Sequence, residues 1–470
     1  MSVPVDRGLG VDAAAGFSAT GVACGIKPTG ELDLAVVVGP PGTVAAGAFT
    51  TNVVVAAPVV WSRSRLAASP DARAVVVNSG NANACTGPAG HRAVRATAER
   101  AAAELGCLPE QVLVCSTGVI GVPLDAGRVG DGIAKAAASL GAQLDRASPP
   151  GGPGGSRARP EPRKRAATQS RAVAPRSTEG PGGSRARPEP RWRAATQSRA
   201  VAPRSTRASD GRAAAEAIRT TDTVAKQAGT VLPGGVTVGG MAKGAAMLAP
   251  ALATVHATML AVLTTDALAD PAALRSGLAT AVEESFNRIT VDGAQSTNDT
   301  VLLLASGASG VAADPDELAS AVRAVCDDLA GQMLADAEGG TKVIRVEVGG
   351  AGSAAEALSV ARRVADSPLV KAAAYGGDPN WGRVLQAAGT AGVAFDPEAV
   401  RLELRGTAPG GADPVVLLRD GAPTGADGSA AMAGPEIGFR LHLGGAGPWA
   451  CVRTADLTPE YVRLNSEYTT

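Results

Sequence analysis

The sequence predicts an α/β protein in which short buried strands alternate with helices. Apolar runs of strand length are bounded by Gly, Asn or Thr, for example at residues 32–38, 74–77 and 301–305. Helical spacing appears over residues 315–334, where apolar side chains recur every three or four positions to form a core-facing stripe. With 470 residues, the chain is long enough for a large core and for one to three domains.

Other segments extend the same alternation of strands and helices. Polar, Gly-rich turns separate them, and Asp378-Pro379 is predicted to cap and begin one further helix. Additional strands are predicted at residues 53–61, 112–116, 259–265, 400–404, 415–418 and 437–443, and additional helices at 92–105, 211–219 and 271–286.

Composition excludes several classes of function. The formal net charge is zero and aromatic residues make up 3% of the chain, which argues against a nucleic-acid stacking platform. Six scattered cysteines without a CxxC pair and only three histidines offer no metal-ligand spacing. The chain has no apolar run of membrane-spanning length and no signal-peptide core at its start. We therefore expect a cytoplasmic protein with reduced thiols, no metal, no cofactor and no membrane partner.

Residues 152–206 differ from the rest in composition. Residues 152–178 recur at a period of 28 as residues 180–206, and the two copies differ only at Lys164 and Trp192. The segment is rich in Pro, Gly, Arg and Ser, and by residue count it carries a net charge of +10. Such composition without apolar periodicity predicts a disordered basic insertion. An inert insertion is the favoured interpretation, and contact with nucleic acid is the alternative.

A segment that includes two threonines predicts the chemistry. Lys243 opens a run of small residues, and an apolar strand follows after Ala-Thr pairs that end at Thr254 and Thr258. A threonine hydroxyl becomes a good nucleophile when an amine takes its proton. Backbone cleavage before the threonine supplies its own α-amine, whose pKa near 8 leaves part of it unprotonated at neutral pH.

This segment resembles the self-cleaving precursors of the ornithine acetyltransferase family (glutamate N-acetyltransferases). The resemblance rests on several motifs in the same order and covers nearly all of the chain outside residues 152–206. They are Asn-Ser-Gly-Asn-Ala-Asn-Ala-Cys at 78–85, Thr-Gly-Val-Ile-Gly at 117–121, Thr-Thr-Asp-Thr at 220–223, Lys-Gly-Ala-Ala-Met-Leu at 243–248, Asp-Pro-Asn-Trp-Gly-Arg at 378–383 and Asn-Ser-Glu-Tyr at 465–468.

The resemblance implies a fold and an activity. The fold is a layered sandwich of antiparallel β-sheets and helices, shared with self-processing aminopeptidases, with a second β-rich part. The activity is transfer of the acetyl group from N-acetylornithine to glutamate through an acetyl-threonine, in arginine biosynthesis. Some members also use acetyl-CoA, and the sequence leaves that donor open. Cleavage would give an α chain (1–257) and a β chain (258–470), which assemble as α2β2 or higher.

The resemblance also implies roles for individual residues. Thr117 and Gly118 would form the oxyanion hole, on a turn at the end of a strand. Cys85, by contrast, is interpreted as a buried small residue rather than a nucleophile. The residues expected to bind substrate are Thr220, Lys243, Glu338, Asn465 and Thr470.

Two threonines compete for the nucleophile because this chain has four residues more than the family pattern. The spacing from Lys243 favours Thr254, whereas the spacing to the following strand favours Thr258. If Thr254 were the nucleophile, the strand would lengthen by about 13 Å at its catalytic end, away from a fixed oxyanion hole. If Thr258 is the nucleophile, the extra residues lie in the loop before the cut, and only the tether to Lys243 lengthens. We therefore predict cleavage between Ala257 and Thr258.

Three other interpretations stay open at this stage. One is an inactive self-processing homologue that acts as an assembly or nucleic-acid-binding protein. The others are a related secondary-metabolite acetyltransferase and a related aminopeptidase. An aminopeptidase should lack the combination of Lys243, Glu338 and Asn465.

Overall fold

The computed structural model describes residues 3–147, 210–249, 259–406 and 413–467. The insertion predicted at 152–206, Thr254, Ala257, Thr258 and Thr470 lie outside these ranges. The strands are β1 (Ser18–Val22), β2 (Leu34–Val38), β3 (Val44–Phe49), β4 (Ala74–Asn81), β5 (Val112–Val119), β6 (Lys226–Val231), β7 (Thr237–Lys243), β8 (Leu260–Thr265), β9 (Ile289–Thr290), β10 (Thr300–Ala305), β11 (Val343–Gly349), β12 (Arg401–Gly406), β13 (Val415–Arg419), β14 (Ala422–Pro423), β15 (Glu436–His442) and β16 (Ala450–Ala455).

Ten α-helices are described in the same ranges. They are α1 (Ala57–Ala68), α2 (Gly87–Leu105), α3 (Ala126–Ala147), α4 (Asp210–Ala217), α5 (Pro271–Glu284), α6 (Pro315–Ala335), α7 (Ala354–Ala365), α8 (Pro368–Tyr375), α9 (Trp381–Ala388) and α10 (Pro459–Glu467). None of these described helices is both long and apolar enough to cross a membrane.

Three mixed sheets organise the strands. A four-stranded sheet has the order β1-β2-β4-β5, and a five-stranded sheet has the order β3-β10-β8-β7-β6. A seven-stranded sheet has the order β14-β13-β12-β15-β11-β16-β9. Most neighbours are antiparallel, but β4 and β5, β8 and β10, β11 and β15, and β9 and β16 pair in parallel.

The first two sheets stack face to face between helices. Leu302 and Leu304 of β10 face the core between the two sheets, whereas Val301 and Leu303 face α5 and α6 on the other side. This alternation is the period of two expected for a strand buried on both faces. The outer face of the four-stranded sheet packs on α2 and α3. The result is an α-β-β-α sandwich, so the predicted layered fold is confirmed.

The seven-stranded sheet forms the second β-rich part. Its inner face packs against α7, α8 and α9 in a core of its own. Ile344, Val346 and Val348 of β11 point into that core, while Arg345 and Glu347 between them lie on the other face. The second part predicted by the resemblance is therefore present, and it too contains parallel strand pairs.

Two local predictions were wrong. Residues 53–61 were predicted as a strand, but helix α1 begins at Ala57, where Pro58 fits the first helical turn and Ala57, Val59 and Ser62 are buried. Asp378 was expected to cap a helix, but α9 begins three residues later. Its cap is Asn380, whose side chain accepts a hydrogen bond from the Arg383 N–H.

Candidate active site

The ends of β4 and β5 form one wall of the candidate site. Thr117 and Gly118 lie inside β5, which continues to Val119, so the turn expected there is instead a pair of parallel strands in close contact. Gly118 has φ +127°, and a Cβ added to it would lie 2.3 Å from the Gly80 carbonyl carbon. Glycine is therefore required at position 118 both by conformation and by space.

A buried polar network fixes this wall. The Asn298 amide donates hydrogen bonds to the carbonyl oxygens of Ala82 (2.6 Å) and Ser116 (2.8 Å). The Ser116 hydroxyl donates in turn to Asn78 Oδ1 at 2.6 Å. Because these groups are buried and satisfied, the backbone beside Thr117 is held rigidly.

Lys243 approaches the wall from the five-stranded sheet. It is the buried last residue of β7, and its Nζ donates to Thr117 Oγ1 at 3.2 Å. Its backbone pairs with Leu260, the first residue of β8. A strand within the five-stranded sheet therefore places this side chain, while residues 250–258 of the tether expected between Lys243 and Thr258 lie outside the described residues.

Asp222 supplies the negative charge beside this lysine. Burial alone would raise the pKa of Asp222, but Lys243, Lys226 and the Gly244 N–H outweigh it and hold the pKa at about 2. Burial lowers the pKa of Lys243, and Asp222 partly offsets that effect. The two charges therefore keep each other ionised in a site shielded from water.

We expect the Asp222 carboxyl to stay ionised in the folded protein until the pH approaches 2. Its folded pKa lies below the ordinary 3.8, so the carboxylate stabilises the fold above about pH 4. That contribution, about 2 kcal/mol, is lost as the pH falls from 4 towards 2. Carbon-13 NMR of the aspartate carboxyl groups measures this titration, and Asp222→Asn assigns the resonance. An Asp222 midpoint near pH 4 would contradict the expectation.

Glu338 and Asn465 form the opposite side of the cleft. The Asn465 amide, on α10, donates to Glu338 Oε2 at 2.9 Å, and the Glu338 N–H donates to the Ala245 carbonyl. These contacts join the C-terminal helix to the segment after Lys243.

One cleft brings six of the predicted site residues together. They come from five separate segments of the chain, which are adjacent only in the folded protein. The cleft is lined by the predicted Thr117, Gly118, Thr220, Lys243, Glu338 and Asn465, and by Ala82, Ile120, Thr221, Ala246, Met247, Ser296, Thr297 and Asn298, which the sequence analysis did not assign to it.

The start of β8 lies beside Lys243, because Lys243 pairs with Leu260. The Met259 N–H donates a short hydrogen bond to the Asp299 carboxylate, and the Met259 carbonyl accepts from Thr300. Asp299 and Asn298 belong to the Ser-Thr-Asn-Asp-Thr run at 296–300, a polar signal directly before a buried strand. That position could have marked them as site residues.

The cysteines do not contribute a nucleophile to this cleft. Burial raises the pKa of the Cys115 thiol to about 12. Cys85 is exposed and has φ +56°, so its predicted burial was wrong: the left-handed turn between β4 and α2 directs its side chain outward. Within the described part of the chain, no group of three or more His, Cys, Asp or Glu side chains could hold a metal ion.

The layered fold and the cleft at the strand ends, with a threonine hydroxyl beside a buried lysine, suit an acyl-transferring enzyme. Comparison with known proteins identifies its family. The ArgJ family model matches residues 18–150 and 162–470. The chain therefore belongs to the ArgJ family and is an acetyl-transferring enzyme of arginine biosynthesis, which confirms the family predicted from the sequence.

The chain aligns with individual relatives over all or nearly all of their lengths. The chain is 42% identical to the arginine biosynthesis bifunctional protein ArgJ of Mycolicibacterium paratuberculosis, covering 98% of this chain and 97% of the relative. It is 41% identical to that of Streptomyces coelicolor, covering 98% and 100%. A solved ornithine acetyltransferase complexed with ornithine, from Mycobacterium tuberculosis, is 36% identical, with a TM-score of 0.39 over 54% of this chain and 100% of that chain.

Proposed function

We propose that this enzyme transfers the acetyl group from N-acetylornithine to glutamate through an acetyl ester of Thr258. The observation that carries the proposal is the meeting of Thr117, Gly118 and Lys243 in one cleft beside the start of β8. A hydroxyl, a backbone N–H and a buried cation at one point suit a developing oxyanion.

The strand register supports Thr258 over Thr254 as the nucleophile. Lys243 pairs with Leu260, and its Nζ contacts Thr117. In the sequence, Thr258 precedes Leu260 by two residues and Thr254 precedes it by six, and an extended chain covers at most about 3.5 Å per residue. The shorter separation along the chain favours Thr258.

The proposed reaction begins with cleavage of the Ala257–Thr258 bond. Thr258 Oγ1 attacks the Ala257 carbonyl, the acyl group passes from the Thr258 nitrogen to Oγ1, and water hydrolyses this ester to leave the Ala257 carboxylate and the free Thr258 α-amine. The freed α-amine of Thr258 takes the hydroxyl proton while Oγ1 attacks the acetyl carbonyl. As the C–N bond to ornithine breaks, the same proton passes to the departing amine. The amine of glutamate then attacks the ester, releases N-acetylglutamate and returns the proton to Thr258 Oγ1.

The contact between Lys243 and Thr117 prepares the oxyanion hole. An ammonium can only donate, so Thr117 Oγ1 must accept this hydrogen bond. The hydroxyl proton of Thr117 is then free to point at the substrate oxygen, alongside the Gly118 N–H. The buried positive charge of Lys243 strengthens Thr117 as a donor.

The far side of the cleft suits the amino-acid part of the substrate. The Glu338 carboxylate, oriented by Asn465, fits an ammonium group such as that on the ornithine side chain. Thr220 lines the same cleft and offers a hydroxyl. Thr470 completes the proposed set of substrate contacts, and it lies outside the described residues.

The proposal also covers the products of cleavage. Residues 1–257 and 258–470 form the α and β chains of a cytoplasmic enzyme that assembles as α2β2 or higher. Whether acetyl-CoA also serves as an acetyl donor is a separate question. In the proposal, acetyl-CoA would acetylate the same threonine.

The test is a direct assay of the purified full-length protein. With N-acetylornithine and glutamate, we expect equimolar ornithine and N-acetylglutamate and ping-pong kinetics. A parallel reaction with acetyl-CoA and glutamate establishes the second donor. An uncut chain that transfers no acetyl group would contradict the proposal and favour an inactive homologue.

A further inference from the structure

Lys226, at the start of β6, is a buried cation with no part in the mechanism above. Its side chain is 0% exposed. Lysine is almost never fully buried unless its charge is paired. No motif of the sequence analysis includes it, and it does not line the cleft. Its position therefore requires an explanation.

Two carboxylates share the Lys226 ammonium. Nζ donates to Asp222 Oδ1 at 2.7 Å and to Asp336 Oδ2 at 2.5 Å. Asp222 precedes β6, and Asp336 follows α6, a helix that packs on β6 and β7. The lysine thus ties the segment before its own strand to the end of a separate helix.

Each carboxylate holds backbone that belongs to the cleft or adjoins it. Asp222 accepts from the Gly244 N–H at 2.8 Å and from the Thr220 N–H at 3.2 Å. Asp336 accepts from the N–H of Thr223 at 3.0 Å, and its other oxygen accepts from the Thr223 hydroxyl. The turn at residues 220–223 and the residue after Lys243 therefore depend on one buried ammonium.

We propose that Lys226 is a positioning residue for substrate binding: through Asp222 and Asp336 it holds the Thr220 turn and the Gly244 backbone in place. The inference rests on the proposed function, because that function assigns Thr220 to the substrate and places Lys243 beside the oxyanion hole. Lys226 itself touches no substrate. Without its charge, Asp336 turns to the solvent nearby and Asp222 pairs with Lys243 alone, so the turn loses one of its two anchors.

The test compares Lys226→Met with Lys226→Arg and a control at a second buried lysine. In Lys226→Met we expect the KM for N-acetylornithine to rise about tenfold or more, as for loss of a charge-assisted hydrogen bond. The kcat should change by less than about threefold, because the oxyanion hole remains. Lys226→Arg keeps the charge and should restore the KM to within about threefold of wild type.

Lys371 supplies the matched control. It is also buried, and its Nζ donates to the Val291 carbonyl, outside the cleft lining. Lys371→Met should lower the melting temperature as Lys226→Met does, but leave the KM unchanged. If Lys226→Met does not fold, Asp336→Asn gives the same test. Asp336 is the more exposed of the two carboxylates that bind Lys226, so its substitution disturbs the core less.

The outcomes separate this inference from the proposed function. If the wild-type protein transfers no acetyl group, the proposed function is wrong, whatever the variants do. Active wild type with an unchanged KM in folded Lys226→Met or Asp336→Asn overturns the role of Lys226 alone. An equal rise in KM in Lys371→Met would also overturn it, because loss of any buried lysine would then suffice.

Discussion

We expect the Thr258→Ala variant to remain a single uncut chain and to transfer no acetyl group. The Thr258 hydroxyl has two roles in the proposal: it attacks the preceding carbonyl during cleavage, and it carries the acetyl group during transfer. Its removal therefore abolishes both activities. Losing a covalent nucleophile typically lowers kcat by about 10⁶-fold. Denaturing gel electrophoresis measures the cleavage, and ornithine release measures the transfer.

Thr254→Ala is the matched control for this variant. It removes the same atoms four residues earlier, in the segment that we place before the cut, and both activities should stay within about threefold of wild type. N-terminal sequencing of the wild-type second fragment should begin Thr-Met-Leu-Ala. A fragment that begins Thr-Val-His-Ala would assign the nucleophile to Thr254 instead.

The second large effect is expected for Thr117→Val. Valine keeps the shape of the side chain but removes the hydroxyl that accepts from Lys243 and, in our proposal, donates to the oxyanion. Loss of one such donor lowers kcat by about 10²–10³-fold. The KM should change little, because the contact strengthens only as charge develops. Steady-state kinetics on the fully cleaved fraction measures both constants.

Thr97→Val controls for loss of a buried threonine hydroxyl. Thr97 lies in α2, is buried like Thr117, and donates to the Ala93 carbonyl outside the cleft lining. Its substitution should leave kcat within about threefold of wild type. A Thr117→Val enzyme with wild-type kcat would exclude the Thr117 hydroxyl from the oxyanion hole.

Periodicity predicted most of the described core elements because burial follows directly from residue spacing. The stripe on α6 and the apolar run of β10 show this. At α1 the same method failed, because a short valine-rich run fits a strand or a helix equally well. Tertiary packing decides such cases: Trp61 Nε1 and the Ser62 hydroxyl of α1 donate to backbone carbonyl groups of β5.

Only some residues in and around the candidate site could be predicted from the sequence. Thr117, Lys243 and Asn465 stand in the motifs that carry the resemblance, and they line one cleft. Lys226 could not be predicted, because its environment depends on Asp336, which is 110 residues away in the sequence. Spacing along a chain predicts which face of an element is buried, but not which distant charge meets it there.

Cleavage before β8 would divide the five-stranded sheet between two polypeptides. Strands β3, β6 and β7 would belong to one fragment and β8 and β10 to the other, although β7 and β8 are hydrogen-bonded neighbours. Folding of the precursor is a first-order process, whereas renaturation of the cut enzyme requires two molecules to meet. The apparent stability of the mature enzyme then depends on its concentration. Dilution alone should therefore slow its recovery from denaturant, so the precursor is the form suited to folding at low concentration.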